Sequence, residues 1–440
     1  MLKTTLLLSM CLVLSVGQAS AQTRPSTLST LFDDVFGPNG LVLSSDDVQL
    51  DGTNHAAHFN SSFQSDFRLM NIALTSQLTA LPVPSPASGF TYKFDPSTGT
   101  FVRSTKSFGP ILTDRGETIG RGRVAFGTNL QFFSFDRLDG VVLSDVPAIF
   151  RHDNYRSTAG RSDVIATRNT IQATVTQFTG ALTYGLTDRI DISAAVPVIR
   201  TRISLLSNAT IQRVGTGTNL GVHYFLDPAA PDGHGSSRQF FAAGQAGGIG
   251  DILLRAKGTV MREGPRSLAV GVDLRLPTGD EQNLLGSGAL GARPFAALSA
   301  SYGAAAPHVN VAYQWNGRSV LAGDVREGVK AELPDQFQYA VGTDVTVNAR
   351  LSLVFDVLGQ RLMNSPRLST FPFVAEGPAG SVTLRDLEFR TGSFWTTSGS
   401  AGLKANLASR LLINFNLRFE IGKAGLTDRV TPLLGLEWAF

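Results

Sequence analysis

Cysteine is almost missing: the 440 residues contain one, Cys11. That excludes a disulfide framework and any cysteine-based zinc or iron–sulfur site. Charge is sparse at 17%, below the roughly 25% of ordinary soluble domains. Lysine is scarcer still, 7 residues against 31 Arg within a net charge of +3. With no basic cluster, nucleic acid is not indicated as a partner. Beyond the extreme N-terminus no run of about 18 apolar residues occurs, so helical membrane spans are excluded. What is plentiful is glycine, 45 residues in a chain that is 42% hydrophobic, and the composition reads as all-β.

Residues 1–21 read as a targeting segment. Lys3 supplies the positive start, Leu6 to Val16 the apolar stretch and Ala19-Ser20-Ala21 the small-residue cleavage site, placing the mature start near Gln22. Leu8-Ser9-Met10-Cys11 faintly resembles a lipoprotein box, but Met10 is too large for its position and the apolar run continues past it, so plain export is favoured.

At the other end, Leu434, Leu436, Trp438 and Phe440 alternate with Leu433, Gly435, Glu437 and Ala439. Period-two alternation makes one face apolar. A terminal aromatic on such a strand looks like the signal by which barrel-insertion machinery recognises bacterial outer-membrane barrels. A barrel demands strands of about 9–11 residues, apolar outside and polar inside, with short turns at one end and longer loops at the other. Working backwards, the pattern predicts strands over 430–440, 411–421, 394–407, 351–362, 337–347, 307–317, 291–303, 267–277, 250–260, 190–200, 170–184 and 122–136. Long connections are expected at 137–169, 201–249, 278–290, 318–336 and 363–393, and a short one at 423–429. Shifting the register by one residue would turn Arg255, Lys257, Arg275 and Arg418 toward lipid, at about 2–4 kcal/mol for each mid-membrane cation.

Four joins share an apolar–polar pair–Arg–apolar pattern, ending in Arg189, Arg350, Arg410 and Arg429. A tight turn with a solvated charge explains them better than a lipid-headgroup site.

Gly248-Ile249-Gly250-Asp251, Lys257, Leu276-Pro277-Thr278-Gly279-Asp280, Leu285-Gly286-Ser287-Gly288 and His308-Val309-Asn310 with Tyr313 form a signature in their combined spacing. With Tyr184 to Pro197, it resembles a bacterial outer-membrane transporter family named after the meta-cleavage pathway of phenol degradation. The resemblance spans roughly 165–440 and is similar to the wider group of channels for hydrophobic substrates, the long-chain fatty-acid transporter among them. It implies a β-barrel that aids passage of aromatic or other hydrophobic small molecules.

Residues 22–120 precede the barrel proper, 121–440, and are expected to be a periplasmic or plug segment, irregular and partly helical. Helices are expected over Ser29–Phe36 and Phe67–Leu81, the latter from Phe67, Met70, Leu74 and Leu78 at helical spacing. Phe90 to Phe94 and Thr100 to Arg103 read as a hairpin within 89–109. Its short arms favour twelve wall strands, with fourteen as the alternative.

Catalysis needs a nucleophile, a base and an orienting partner. His58-Phe59-Asn60-Ser61-Ser62 groups the residue types in an irregular segment, and the strand carrying His308 and Asn310 carries no serine. No Gly-x-Ser-x-Gly elbow accompanies Tyr302-Gly303. A lipid hydrolase is therefore the weakest reading. His55 with His58 is too thin for a metal site, and Asp280-Glu281 beside Gly286-Ser287-Gly288 fits neither a calcium loop nor a phosphate cradle. No cofactor is expected.

The expectation is a passive outer-membrane channel for small hydrophobic or aromatic solutes, with outer-membrane lipid and lipopolysaccharide as surroundings. Candidate lumen-lining residues are Asp251, Arg255, Lys257, Asp273, Arg275, His308, Asn310, Asp356, Asn414, Asn416, Arg418 and Glu420. Both signs of charge argue against strong ion selectivity. The rival is a structural barrel with a sealed polar interior. Pro197 and Pro277 are candidate interruptions of the wall through which an apolar solute would move sideways.

Overall fold

Strand follows strand because apolar and polar residues alternate, and an alternating chain cannot hide its apolar face within one helix. The computed structural model describes residues 27–37, 40–46, 77, 92–95, 100–103, 107–152, 155, 162–408 and 410–439. The leader at 1–21, His55, His58, Phe440 and, apart from Gln77, the helix expected over 67–81 lie outside them.

Twelve antiparallel strands close a barrel. They are β1 (Val124–Phe135), β2 (Val164–Gly185), β3 (Ile190–Gln212), β4 (Ile252–Glu263), β5 (Arg266–Leu276) and β6 (Gly291–Ala300), then β7 (Ala305–Asn316), β8 (Gln336–Asn348), β9 (Leu351–Gly377), β10 (Gly380–Ala408), β11 (Leu411–Glu420) and β12 (Val430–Ala439). Each pairs with the next, and β12 returns to β1 through Trp438↔Phe126. Closure removes every sheet edge, which hydrocarbon requires. The hairpin at 92–103 pairs with itself alone, so twelve is the wall count.

Around the outside runs an apolar belt that includes Phe178, Ile192, Leu254, Val272, Val311, Phe355, Leu417 and Leu436. Tyr184, Tyr302 and Trp438 are exposed near one rim. Trp315 beside Tyr313, and Trp395 beside Phe337 and Tyr339, mark the other. Belt and girdles are the signature of an outer-membrane barrel. Short joins such as 186–189, 264–265 and 349–350 define the periplasmic end.

The long connections are not the loops expected of them. Strand β3 runs on to Gln212, and residues Ser237–Ile249, expected within the long connection 201–249, form a strand paired with its far half. Val146–Arg151 pairs with the start of β2. Most of 363–393 is the continuation of β9 and β10, paired to Gly377↔Gly380. Together they raise a crown above the membrane. The alternation survives there with its sense reversed, apolar inward, and an outward-apolar template misses it. Glycine recurs in 237–249 because that strand is covered closely: a Cβ on Gly244 would press on the Leu28 side chain.

The expected helix at 29–36 is a 3₁₀ turn, Leu28–Thr30, followed by a short α-helix, α1 (Leu31–Asp34). It lies in the crown, not beneath the barrel. Leu28, Leu31, Phe32, Val35, Phe36, Leu41 and Leu43 share one buried cluster with Phe150, Ile165, Ile171, Val175, Ile203 and Leu205. Phe36 stands edge-on to Phe150 and Phe240, at 5.3 and 5.1 Å between ring centres.

Candidate functional site

Between the capped crown and the periplasmic turns, the wall points polar side chains inward, and residues 107–120 thread among them. Arg255 on β4 grips Asp273 of β5 with Nε at 2.6 Å and Nη2 at 2.9 Å, and its Nη1 donates to both oxygens of Asp114 at 2.9 and 3.0 Å. Asp273 also accepts from Arg293 Nε at 2.9 Å. Asn310 and Asp114 exchange two hydrogen bonds, 2.6 Å from the Asp114 amide and 2.9 Å to its carbonyl. Lys257 donates to the Glu117 carbonyl at 2.8 Å, and Arg115 reaches Asp344 at 2.8 Å. A fully buried ion pair survives only when every partner is satisfied, and here the inner segment completes the wall's pairs.

The other candidates sit in the same interior. His308 Nε2 and Asp356 Oδ1 are hydrogen-bonded at 2.6 Å, with Ser400 donating to the other Asp356 oxygen at 3.3 Å. The histidine therefore faces a carboxylate and not a hydroxyl. Asn416 donates to Ser400, and Asn414 to Glu437, which also holds the buried Lys404 at 2.5 Å. Arg418 stands 3.9 Å from Glu420. Thus all twelve side chains lie on the inner face, though His308, Asn414 and Asn416 are deep in wall packing. Arg115, Asp344, Arg293 and Lys404 were missed. Arg115 precedes the strands, and the other three lie inward on strands expected from sequence at 337–347, 291–303 and 394–407 without having been named as candidates.

Asp251 has a different job. Its carboxylate accepts from the Gly279 amide at 3.1 Å and from the Ser287 amide at 2.8 Å and hydroxyl at 2.5 Å, while Arg275 stands 3.6 Å away. This pins the connection 278–288 across the lumen. A Cβ at Gly286 would strike Asp251 and Gly279, so glycine is required. The scattered signature pieces, 248–251, 276–280 and 285–288, are thereby one object.

Beside that object the wall ladder carries a bulge of two residues against three. Strands β3 and β4 pair from Ile190↔Gly258 to Ala195↔Leu253. Pairing on that side resumes at Val198↔Ile249 with the crown strand. Pro197 falls in the bulge, its carbonyl accepting from the Gly250 amide at 2.8 Å, and the Ile252 amide turns away to Thr278 Oγ1 at 3.0 Å. Proline has no N–H to offer a ladder. Toward β2 the register is unbroken at Thr179↔Pro197. Pro277 lies just past the end of β5 and interrupts nothing.

A cavity of about 240 Å³ adjoins this bulge. Leu112, Pro197, Ile199, Leu253 and Leu285 make its apolar side, and Arg275, Arg293, Gln338 and Arg418 its polar side.

In the crown, Asp163 is fully buried against His223 Nδ1 at 2.8 Å and accepts from the Gly215 amide, the Thr216 amide and the Thr216 hydroxyl. Burial opposes its charge, but these hydrogen bonds hold the carboxyl below its ordinary range.

Residues 153–359 match the family model described as "Putative MetA-pathway of phenol degradation", so the resemblance seen in the signature is borne out over that stretch. Among solved structures, the chain is similar to an outer-membrane channel of Pseudomonas putida F1, 14% identical over 74% of this chain and 97% of that one, with a TM-score of 0.46. It is also similar to the monoaromatic hydrocarbon channel CymD, 11% identical over 73% and 89%, TM-score 0.35. The toluene transporter TodX of P. putida is 9% identical over 72% and 89%, TM-score 0.30. No curated protein matches the sequence.

Proposed function

We propose that this chain, whose residues 153–359 match the family model for the MetA-pathway of phenol degradation, is a passive outer-membrane channel for small hydrophobic or aromatic compounds. The cavity beside the Pro197 bulge carries the proposal. Its volume of about 240 Å³ exceeds the roughly 150 Å³ that accommodates a benzene in a dry engineered site. Its lining joins the apolar Pro197, Ile199, Leu253 and Leu285 beside the bulge with the polar Arg275, Arg293, Gln338 and Arg418 of the other wall strands. A solute arriving from above meets the apolar cap, partitions past residues 28–37 and 40–43, and rests between Ile199, Leu253 and Leu285. The bulge at Pro197 is the proposed point of sideways exit, and the threaded segment 107–120 closes the axial path to ions. Such a route carries apolar molecules past the polar lipopolysaccharide layer. In this reading Arg255, Lys257, Asp273, His308, Asn310, Asp356, Asn414 and Asn416 hold the lumen shut to water, while Asp251, Arg275, Arg418 and Glu420 face the passenger. Leu434, Leu436, Trp438 and Phe440 serve insertion by the barrel-assembly machinery.

Liposomes carrying the full-length barrel test this directly. Toluene or phenol should enter faster than a sugar of similar size, and Ile199→Trp, which fills the apolar side, should slow the aromatic without admitting the sugar. If neither solute crosses, the molecule is a sealed structural barrel. Equal entry of sugar and aromatic would make it a general porin.

A further inference from the structure

The lipid-facing surface changes character along one straight line. Phe178 of β2, Val198 of β3 and Ile249 of the crown strand are direct register partners, and all three point outward and are exposed. On these three strands they are the last apolar row before two polar ones. The next row up is Thr176, Arg200 and Gly247, and the one above it is Thr174, Arg202 and Gln245. Arg200 and Arg202 therefore project from the same strand face, about 6.6 Å apart along it, where the hydrocarbon ends.

Neither arginine has an anionic partner among the described residues. Arg200 Nη2 and Arg202 Nε both donate to Gln245 Oε1 at 3.2 Å, a neutral acceptor that orients two guanidinium groups and cancels neither charge. Two other outward arginines differ. Arg168, higher on β2, is bonded to both oxygens of Asp145 at 3.0 and 3.1 Å, and Arg361 lies over Trp395 at 5.9 Å. Two like charges held side by side are unfavourable unless something negative completes them. Gly247, without a side chain, leaves the space beside Arg200 open, and the hydroxyls of Thr174 and Thr176 flank the pair on the other side.

We infer that Arg200 and Arg202 form an outer-wall binding site for the phosphates of lipopolysaccharide. The row stands at headgroup level on the extracellular side, and in a bacterial outer membrane the phosphates at that level belong to lipid A. Guanidinium forks match phosphate oxygens bidentately, and a lipid A molecule sets its acyl chains against Phe178, Val198 and Ile249 directly below. The site does not depend on what the lumen carries.

Full-length protein in detergent, titrated with bisphosphorylated lipid A and followed by native mass spectrometry, tests it. The double variant Arg200→Gln/Arg202→Gln should bind about thirty-fold more weakly, two surface guanidinium groups acting together. Arg168→Gln should bind as the unmodified protein does. The unmodified protein itself should prefer bisphosphorylated over dephosphorylated lipid A. Unchanged binding by the double variant would overturn the site, as would equal binding of dephosphorylated lipid A. Equal binding of phosphatidylglycerol would overturn the assignment to lipid A. Both charges are solvent-exposed, and unchanged heat-modified gel mobility will show that the variant barrel is folded.

Discussion

Strand β2 belongs to two regions built on opposite rules. In the crown it turns Ile165, Ile171, Ala173 and Val175 inward and Arg168, Thr170, Gln172 and Thr174 outward. Below Thr176 it turns Gln177, Thr179 and Thr183 inward and Phe178, Leu182 and Tyr184 outward. The ladder to β3 runs through the change without a slip. Only the solvent outside differs, water above and hydrocarbon below. The crown gains its cohesion by taking apolar surface out of water. The membrane ring gains nothing that way, because its apolar face is already in an apolar medium, and it depends on closed backbone pairing and on a satisfied polar interior. An apolar N-terminal segment accordingly lodges in the crown, and a polar one, 107–120, in the ring.

Substitutions of opposite sense should separate the two regions. Phe32→Ala empties the centre of the crown cluster and should cost about 3–5 kcal/mol locally. Hydrogen exchange over 164–175 and 203–211 should accelerate while the ring stays protected. Next, Val272→Arg on the ring exterior should cost about 2–4 kcal/mol in urea unfolding from lipid bilayers. Gln172→Arg, equally outward but in the crown, should stay within about 0.5 kcal/mol. Equal costs at the two positions would erase the distinction drawn between them. Asp251→Ala strands the amides of Gly279 and Ser287 and should loosen 278–288 by about 1–3 kcal/mol, seen as faster proteolysis of that connection in the folded barrel. The smallest effect is acid sensitivity of the crown. The Asp163 carboxyl is lowered in the folded protein, so its stabilisation is full above the unfolded carboxyl's roughly pH 4 and is lost as pH falls further. Crown exchange should therefore quicken on acidification in the unmodified protein and much less in Asp163→Asn.

The ring was legible from sequence because its rule is local. Leu411 to Glu420 and Arg266 to Leu276 each show the alternation within one strand, and burying Arg255, Arg275 or Arg418 in lipid costs too much for the other register. The crown was not legible by the same template. Residues 164–175 and 201–212 alternate as cleanly, but in the opposite sense, and the long connection expected at 201–249 hid a strand whose Gly244 answers to Leu28, over two hundred residues away. The site was half legible. Inward charges could be named one at a time, yet their partners Asp114, Arg115 and Glu117 come from a stretch with no periodicity to announce it.

Period-two alternation, the absent membrane helices and the inward cations were enough, by sequence alone, to determine an outer-membrane barrel, with twelve strands favoured over fourteen, since side-chain polarity and lipid leave one orientation per strand. Tertiary structure decided the rest. The cap by residues 28–37 and 40–43, the pinning of 278–288 by Asp251 and the wall bulge at Pro197 each join segments far apart in the chain, and no local pattern encodes which distant group will satisfy a buried charge or fill a given void.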